Sequence, residues 1–244
     1  MELDKDFFKK FKYEEIDFKG EKGEIPAKYF DTRSFSAIFP ASSRKLKKYL
    51  PTKKMKLIKP FPGISFIFVV AYEYKHISAL EPYNEIGIGY PLKFKDKDQE
   101  YIGSQFIHLP VTTERARELG ADLFGYPKFV ADITFEDYNN SSKCILKHEG
   151  NLILTLEVPK TDVTEEFSEN HSFTVKDNKV LRTRVTGQGF VGTSQERGIA
   201  KLILGTHPIS QEIKKLLLIN KSFAHTYTPK RQTVLPLAEE EYDF

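Results

Sequence analysis

The amino-acid sequence predicts an α+β fold that is predominantly β: a single-domain, barrel-like mixed or antiparallel sheet with a few short helices. Three observations carry this expectation. From Ile64 onward, short apolar runs rich in β-branched and aromatic residues follow one another at close spacing, each bounded by Gly, Pro, Asn or Asp. Helical patterns are brief and few, whereas a doubly wound sheet needs a helix after almost every strand. No linker, low-complexity tract or repeat divides the 244 residues, a length that suits one sizeable domain.

Residues 1–30 are polar with scattered aromatics and read as an N-terminal arm with a short helix; residues 31–244 form the single domain. Phe35–Phe39 reads as a strand. Ser42 or Ser43 then caps a short basic helix, Arg44–Tyr49, which Pro51 ends. Strands are expected at Ile64–Tyr74, Asn84–Lys95 and Tyr101–Pro110. Thr112-Thr113-Glu114 opens a helix toward Leu123, with Gly120 a weak point inside it. Pro127 fixes its own φ and pushes Tyr126 out of the helical region, so the helix stops and an extended segment starts at Lys128. Lys128–Glu136, Lys143–His148 and Leu152–Val158 follow, with turns at Asn139-Asn140 and Glu149-Gly150-Asn151. Phe173–Lys176, Val180–Val185, Gly189–Thr193 and Ile199–Leu204 continue the β pattern. Pro208 opens a late helix through Ile219, and Ser222–Tyr227 with Thr233–Leu237 closes the chain.

Composition narrows the function. Hydrophobic residues make up 40% and aromatics 13%, enough for a real core. Lys and Arg number 37 against 34 Asp and Glu, a net charge of +3 mixed along the chain, which gives no basic stripe for nucleic acid. The lone Cys144 excludes an internal disulfide, suits a reducing compartment and reads as a small core residue. The longest apolar run, Ile64 to Tyr72, is far short of a membrane span, and the charged start of the chain lacks the apolar core of a signal peptide. A cytoplasmic protein without membrane or nucleic-acid partners is expected. The six histidines show no metal-ligand spacing, so neither a metal nor an organic cofactor is expected. Gly187-Gln188-Gly189-Phe190-Val191-Gly192 spells G-x-G-x-x-G, but a β pattern surrounds it where a dinucleotide site needs a following helix.

The most informative stretch is Leu123-Phe124-Gly125-Tyr126-Pro127-Lys128-Phe129-Val130. It sets one lysine among aromatic and aliphatic neighbours. Apolar surroundings favour a neutral amine, which can attack a ketone and form a Schiff base. The ordinary alternative is a strand-edge lysine whose head reaches water. Strand alternation puts Lys128 and Val130 on one face and Phe129, Ala131, Ile133 and Phe135 on the other.

Gly120-Ala121-Asp122-Leu123-Phe124-Gly125-Tyr126-Pro127-Lys128 resembles the G-R-E-x-x-G-[YF]-P-K motif of acetoacetate decarboxylases. The resemblance implies that Lys128 is the Schiff-base nucleophile and that Tyr126 of the same motif borders the substrate. Tyr83-Asn84-Glu85 resembles the family's Y-x-E, which implies that Glu85 is a catalytic carboxylate beside the lysine. Arg33, ahead of the first long strand, stands near the family's active-site arginine, which implies a substrate-binding guanidinium for a carboxylate. Leu202–Ile209 resembles the family's closing strand and G-x-H-P turn, with a helix-start role for His207. The likeness runs from Arg33 to about Pro236 and implies a homo-oligomer acting on a small keto acid.

Three departures stand out. Ala121 and Asp122 replace the usual Arg and Glu, Phe129 replaces a second lysine, and Phe68 falls where a second glutamate is expected, with Glu73 five residues on. A Schiff-base decarboxylase of a β-keto acid is therefore the first expectation. An imine-dependent aldolase or dehydratase of the same superfamily is the second. The third is a β-barrel that binds a small hydrophobic ligand without catalysis.

Overall fold

The computed structural model describes residues 2–78 and 80–243. A 3-10 turn at Phe7–Lys10 precedes a small hairpin of β1 (Glu14–Phe18) and β2 (Glu21–Ile25), which forms a sheet of its own. The main sheet holds β3 (Ala27–Ser42), β4 (Met55–Leu57), β5 (Ile64–Ile77), β6 (Tyr83–Asp96), β7 (Gln99–His108), β11 (Thr164–Lys176), β12 (Lys179–Ser194), β14 (Ala224–Leu235) and β15 (Glu240–Asp243). A second sheet holds β8 (Asp132–Asp137), β9 (Ser141–His148), β10 (Asn151–Pro159) and β13 (Lys201–Leu204). The helices are α1 (Ser43–Leu46), α2 (Glu114–Asp122) and α3 (Pro208–Leu216). The fold is mostly β with few short helices, as the turn-punctuated sequence implies.

The main sheet closes on itself. Its order runs β11-β7-β6-β5-β3-β14-β12, and β11 pairs again with β12. All ring contacts are antiparallel except β11 with β7, a parallel seam of two residue pairs, His171 with Gly103 and Ser172 with Ser104. Closure removes the open edges that a sheet this size would otherwise expose.

Several strands are longer than the sequence suggests. The runs around Val180–Val185 and Gly189–Thr193 are parts of the single strand β12, and Ser222–Tyr227 and Thr233–Leu237 are bridged into β14. Each carries polar residues on one face, which broke the apolar pattern without breaking the strand. Residue 30 lies inside β3, and the outermost residues Met1 and Phe244 lie outside the described residues.

Alternation along the ring strands sorts two interiors. On β3, Phe35, Ala37, Phe39 and Ala41 face the main hydrophobic core, which they share with Ile67, Val69 and Ala71 of β5 and Ile86, Ile88 and Leu92 of β6. The second sheet covers this face with Ile133, Leu146, Leu154 and Leu156. The opposite face of the same strands, with Thr32, Ser34, Ser36 and Ile38 of β3, lines a cavity of about 570 Å³ inside the ring. The core is thus outside the barrel, between ring and second sheet, and the barrel interior is left open and partly polar.

Local signals hold where their chemistry is specific. Ser42 caps α1 by accepting from the Lys45 N–H, and Thr113 caps α2 by accepting from that of Ala116. His207 caps α3 with its ring nitrogen, ahead of Pro208 in the first turn. Cys144 is fully buried in the core, where burial pushes its thiol up and leaves it unreactive. The G-x-G-x-x-G run lies wholly within β12.

Candidate active site

Lys128 reaches the cavity through a short extra layer of backbone. After α2 the chain turns back, and Pro127–Ala131 runs beside Leu109–Val111: the Leu109 N–H donates to the Pro127 carbonyl, and that of Val111 to the Phe129 carbonyl. Val111 in turn bridges Glu85 on β6. Three neighbouring backbones therefore carry Glu85, Val111 and Val130, and alternation turns Lys128 toward the cavity. Phe129 goes the other way and packs on the main core beside His108 and His148.

The Lys128 Nζ donates to the Glu85 carboxylate at 2.6 Å. Their side chains are only 7% and 6% exposed, and both border the cavity. Taking two charges from water is costly unless they meet at hydrogen-bonding distance, a condition met here. The lysine stem lies across α2 at Gly120, where a Cβ would come within 2.4 Å of Lys128 Cδ and Cε. Gly120 weakens the helix and is the residue that makes room for the amine's arm.

Five phenols surround the pair. The Tyr74 hydroxyl donates to Glu85 at 3.2 Å. Lys128 Nζ lies 5.5 Å from the Tyr83 ring and 6.0 Å from that of Tyr126. Burial pushes the phenols of Tyr29, Tyr72, Tyr74 and Tyr83 up, and the Glu85 charge pushes them further. Burial pushes Tyr126 up to about 12, opposed by its hydrogen bond to Ser172. All five stay protonated near neutrality and supply O–H groups, not charge. A small pocket of about 80 Å³ behind Lys128 is closed by the β1–β2 hairpin and α2, which are joined by ion pairs of Arg115 with Glu21 and of Lys19 with Asp122.

The structure brings Lys128, Glu85 and Tyr126 together and puts Arg33 elsewhere. Arg33 shares the core-side face of β3 with Phe35, so its guanidinium lies between the two sheets. There it pairs with Glu73 at 2.9 Å and with Asp137, over the Phe135 ring. The expectation that Arg33 binds substrate is corrected on this point of geometry: strand parity turns it away from the cavity. Glu73 faces the same way and is no second carboxylate for the lysine. Phe68 does line the cavity, edge-on to Phe106.

The cavity has its own arginine. Arg231 on β14 lines the ring interior, partly buried, and the register of β14 shifts on both sides of it. Such irregularities re-aim side chains. Thr226 and Thr228 face the cavity before the shift, and Arg231, Thr233 and Leu235 after it. Gly187 of β12 lies beneath the guanidinium, where a Cβ would meet Arg231 Nη2 at 2.6 Å. Among the described residues, no group of three or more His, Cys, Asp and Glu side chains is arranged to hold a metal, and no helix is long and apolar enough to cross a membrane.

Comparison with known proteins agrees with this architecture. Residues 18–237 match the family model described as acetoacetate decarboxylase. The chain belongs to the acetoacetate decarboxylase family. No curated protein matches it by sequence. The crystal structure of acetoacetate decarboxylase from Legionella pneumophila is similar in fold, with a TM-score of 0.64 at 16% identity, covering 89% of this chain and 88% of that one. A second acetoacetate decarboxylase structure gives 0.67 at 16% identity, with 90% of each chain covered. The enduracididine biosynthesis enzyme MppR complexed with pyruvate gives 0.64 at 10% identity, covering 86% of this chain and 88% of that one. At these identities the likeness is one of fold.

Proposed function

We propose that the protein is a Schiff-base-forming lyase that decarboxylates a β-keto acid, with Lys128 as nucleophile. The observation that carries this reading is the Lys128–Glu85 pair, held at 2.6 Å on the wall of a closed-barrel cavity. Glu85 accepts the proton that the amine must lose, and the freed nitrogen adds to the ketone carbon. The carbinolamine then loses its hydroxyl as water, with Glu85 returning a proton, to leave an iminium. The bond from the α-carbon to the carboxylate breaks, its electron pair enters the iminium to give an enamine, and CO₂ departs. Protonation of the enamine carbon and hydrolysis release the ketone and restore the amine. The Tyr126 ring borders the reacting atoms and holds the wall through Ser172. The phenols keep the site polar without adding charge, so loss of the carboxylate's charge is not resisted.

A second reading keeps the iminium and changes the bond, as in an aldol reaction or dehydration. It is favoured by Phe68 and Val70 on the cavity wall next to β6, which leave Glu85 as the one carboxylate beside the amine among the described residues. The neighbour MppR, similar in fold, has a structure in complex with the condensation product of pyruvate and imidazole 4-carboxaldehyde, which supports this reading. A cytoplasmic homo-oligomer accords with the buried, reduced Cys144 and with exposed Phe61, Leu218 and Ile219. The test is release of CO₂ and ketone from a panel of β-keto acids. The reading expects release that Lys128→Ala abolishes; release that persists in that variant contradicts it.

A further inference from the structure

The cavity is far larger than acetoacetate requires, and its size suits a longer ligand. Its one arginine lies well away from the reacting amine. Arg231 pairs across the ladder with Thr32, Thr32 with Tyr74, and Tyr74 with Tyr83, two residues before Glu85. Three ladder steps separate the two walls, roughly 14 Å around the sheet. In a ring of seven strands that is nearly the opposite side.

Among the described residues the Arg231 guanidinium has one hydrogen-bond partner, the Ser168 hydroxyl, and no ion-pair partner. The other arginines on buried faces are paired: Arg33 with Glu73 and Asp137, and Arg182 with Glu239 and Glu240. A guanidinium carries a planar fork of donors suited to a carboxylate; Glu166 of β11 lines the same cavity and acts on Arg231 at longer range without an ion pair, so the fork itself is open to a ligand anion. Thr228 and Thr233 on its own strand and Ser168 on β11 add hydroxyls to the same wall. Gly187 of β12 leaves the guanidinium the room that a side chain there would take.

We propose that Arg231 and Ser168 form an anion subsite across the barrel from Lys128, and that the substrate is a keto acid with a carboxylate remote from its reacting carbonyl. This rests on the Schiff-base reading of Lys128. The remote carboxylate is kept through turnover. A carboxylate that leaves as CO₂ gives up its negative charge to the iminium, and a guanidinium fork stabilises that charge in the ground state, which opposes departure. Arg231 is thus a specificity residue that anchors the far end of the substrate while the reaction proceeds at Lys128.

The test compares β-ketoadipate with its methyl ester at the distal carboxylate. The subsite predicts a KM for the diacid about tenfold or more below that of the ester, with similar kcat. Arg231→Gln removes the difference between acid and ester. Gly187→Ala, which pushes on the guanidinium without changing charge, narrows it. Equal KM values in the unaltered protein, or a preference that survives Arg231→Gln, overturn the proposal. Calorimetric titration with adipate, which has no ketone, reads the subsite without Lys128. Adipate binding that Arg231→Gln abolishes supports the subsite even if no keto acid reacts, in which case the Schiff-base reading alone fails. No adipate binding to the unaltered protein overturns the subsite, whatever Lys128 does.

Discussion

Two ion-pair clusters with buried cations lie back to back on neighbouring strands, and they differ in access. Lys128 with Glu85 faces the barrel interior; Arg33 with Glu73 and Asp137 faces the layer between the sheets. They are near neighbours, since Tyr72 on β5 pairs with both Ser34 of β3 and Glu85 of β6, and Arg33 pairs with Glu73. The Arg33 cluster is filled in by Phe135 and the packed second sheet, and a second cation, Lys75, shares Glu73. The Lys128 pair has a cavity in front of it. The same charges therefore serve structure on one face and are open to chemistry on the other. What assigns a buried charge to function is the space its reacting atom can see, more than the charge itself.

The sharpest way to break this comparison is to remove each cation in turn. Lys128→Ala is expected to lower turnover by about 10⁴-fold or more in CO₂ release, and to lower the thermal midpoint as well, because it leaves the Glu85 carboxylate buried without its cation. Glu85→Gln keeps the shape but loses the proton acceptor, and a fall of about 10²–10⁴-fold in kcat is expected. Gly120→Ala puts a methyl group against the lysine stem. A displacement of this kind is expected to cost about 10²-fold in kcat without removing any charged group. An activity equal to that of the unaltered protein would show that the arm of Lys128 need not lie where it does.

Arg33→Met should act on stability and spare turnover. It leaves Glu73 with Lys75 and Asp137 with Lys160 and Ser142, and is expected to cost about 1–3 kcal/mol in denaturant unfolding, less than a fully buried pair because those partners remain and Asp137 is 45% exposed. The kcat of the folded protein is expected to hold. A loss of activity at full stability would move Arg33 back among the functional residues. The smallest effect is in pH. Burial alone would raise Asp137, but its bonds to Arg33 and Ser142 outweigh burial and hold it below the ordinary carboxylate range. A depressed folded-state value contributes stability that is fully present above the unfolded value, near pH 4, and is lost as pH falls through the lowered one. In Arg33→Met the acid limb of the stability–pH curve is expected to flatten.

Much of the site was legible in the sequence because it follows from local rules. Gly125-Tyr126-Pro127 marked the stop of α2, and period-two alternation then separated Lys128 from Phe129. In the structure α2 ends at Asp122 and its last turn is closed by Gly125 at φ 69°, before Pro127, while Phe129 packs on the core away from Lys128. The polar break Tyr83-Asn84-Glu85 marked the start of β6, with Glu85 on the face opposite Ile86 and Ile88. Arg33 was misplaced because the strand seemed to begin at Phe35; carried back two residues, the same alternation puts Arg33 with Phe35 and Phe39. Arg231 was not legible. Pro229 and the polar run around it looked like a gap between two strands, and the shift that changes the facing parity of β14 depends on its partners β3 and β12. A barrel-like sheet was expected, but the place of its closure was not: the β7–β11 seam joins residues far apart in the chain by two parallel pairs, and no local pattern encodes it.

Reduction with borohydride in the presence of a β-keto acid, followed by peptide mass mapping, tests the central claim most directly. The account predicts one reduced adduct, on the peptide carrying Lys128 and absent from Lys128→Ala. Turnover of the keto acid with no adduct on Lys128, or with the adduct on a surface lysine, would contradict it.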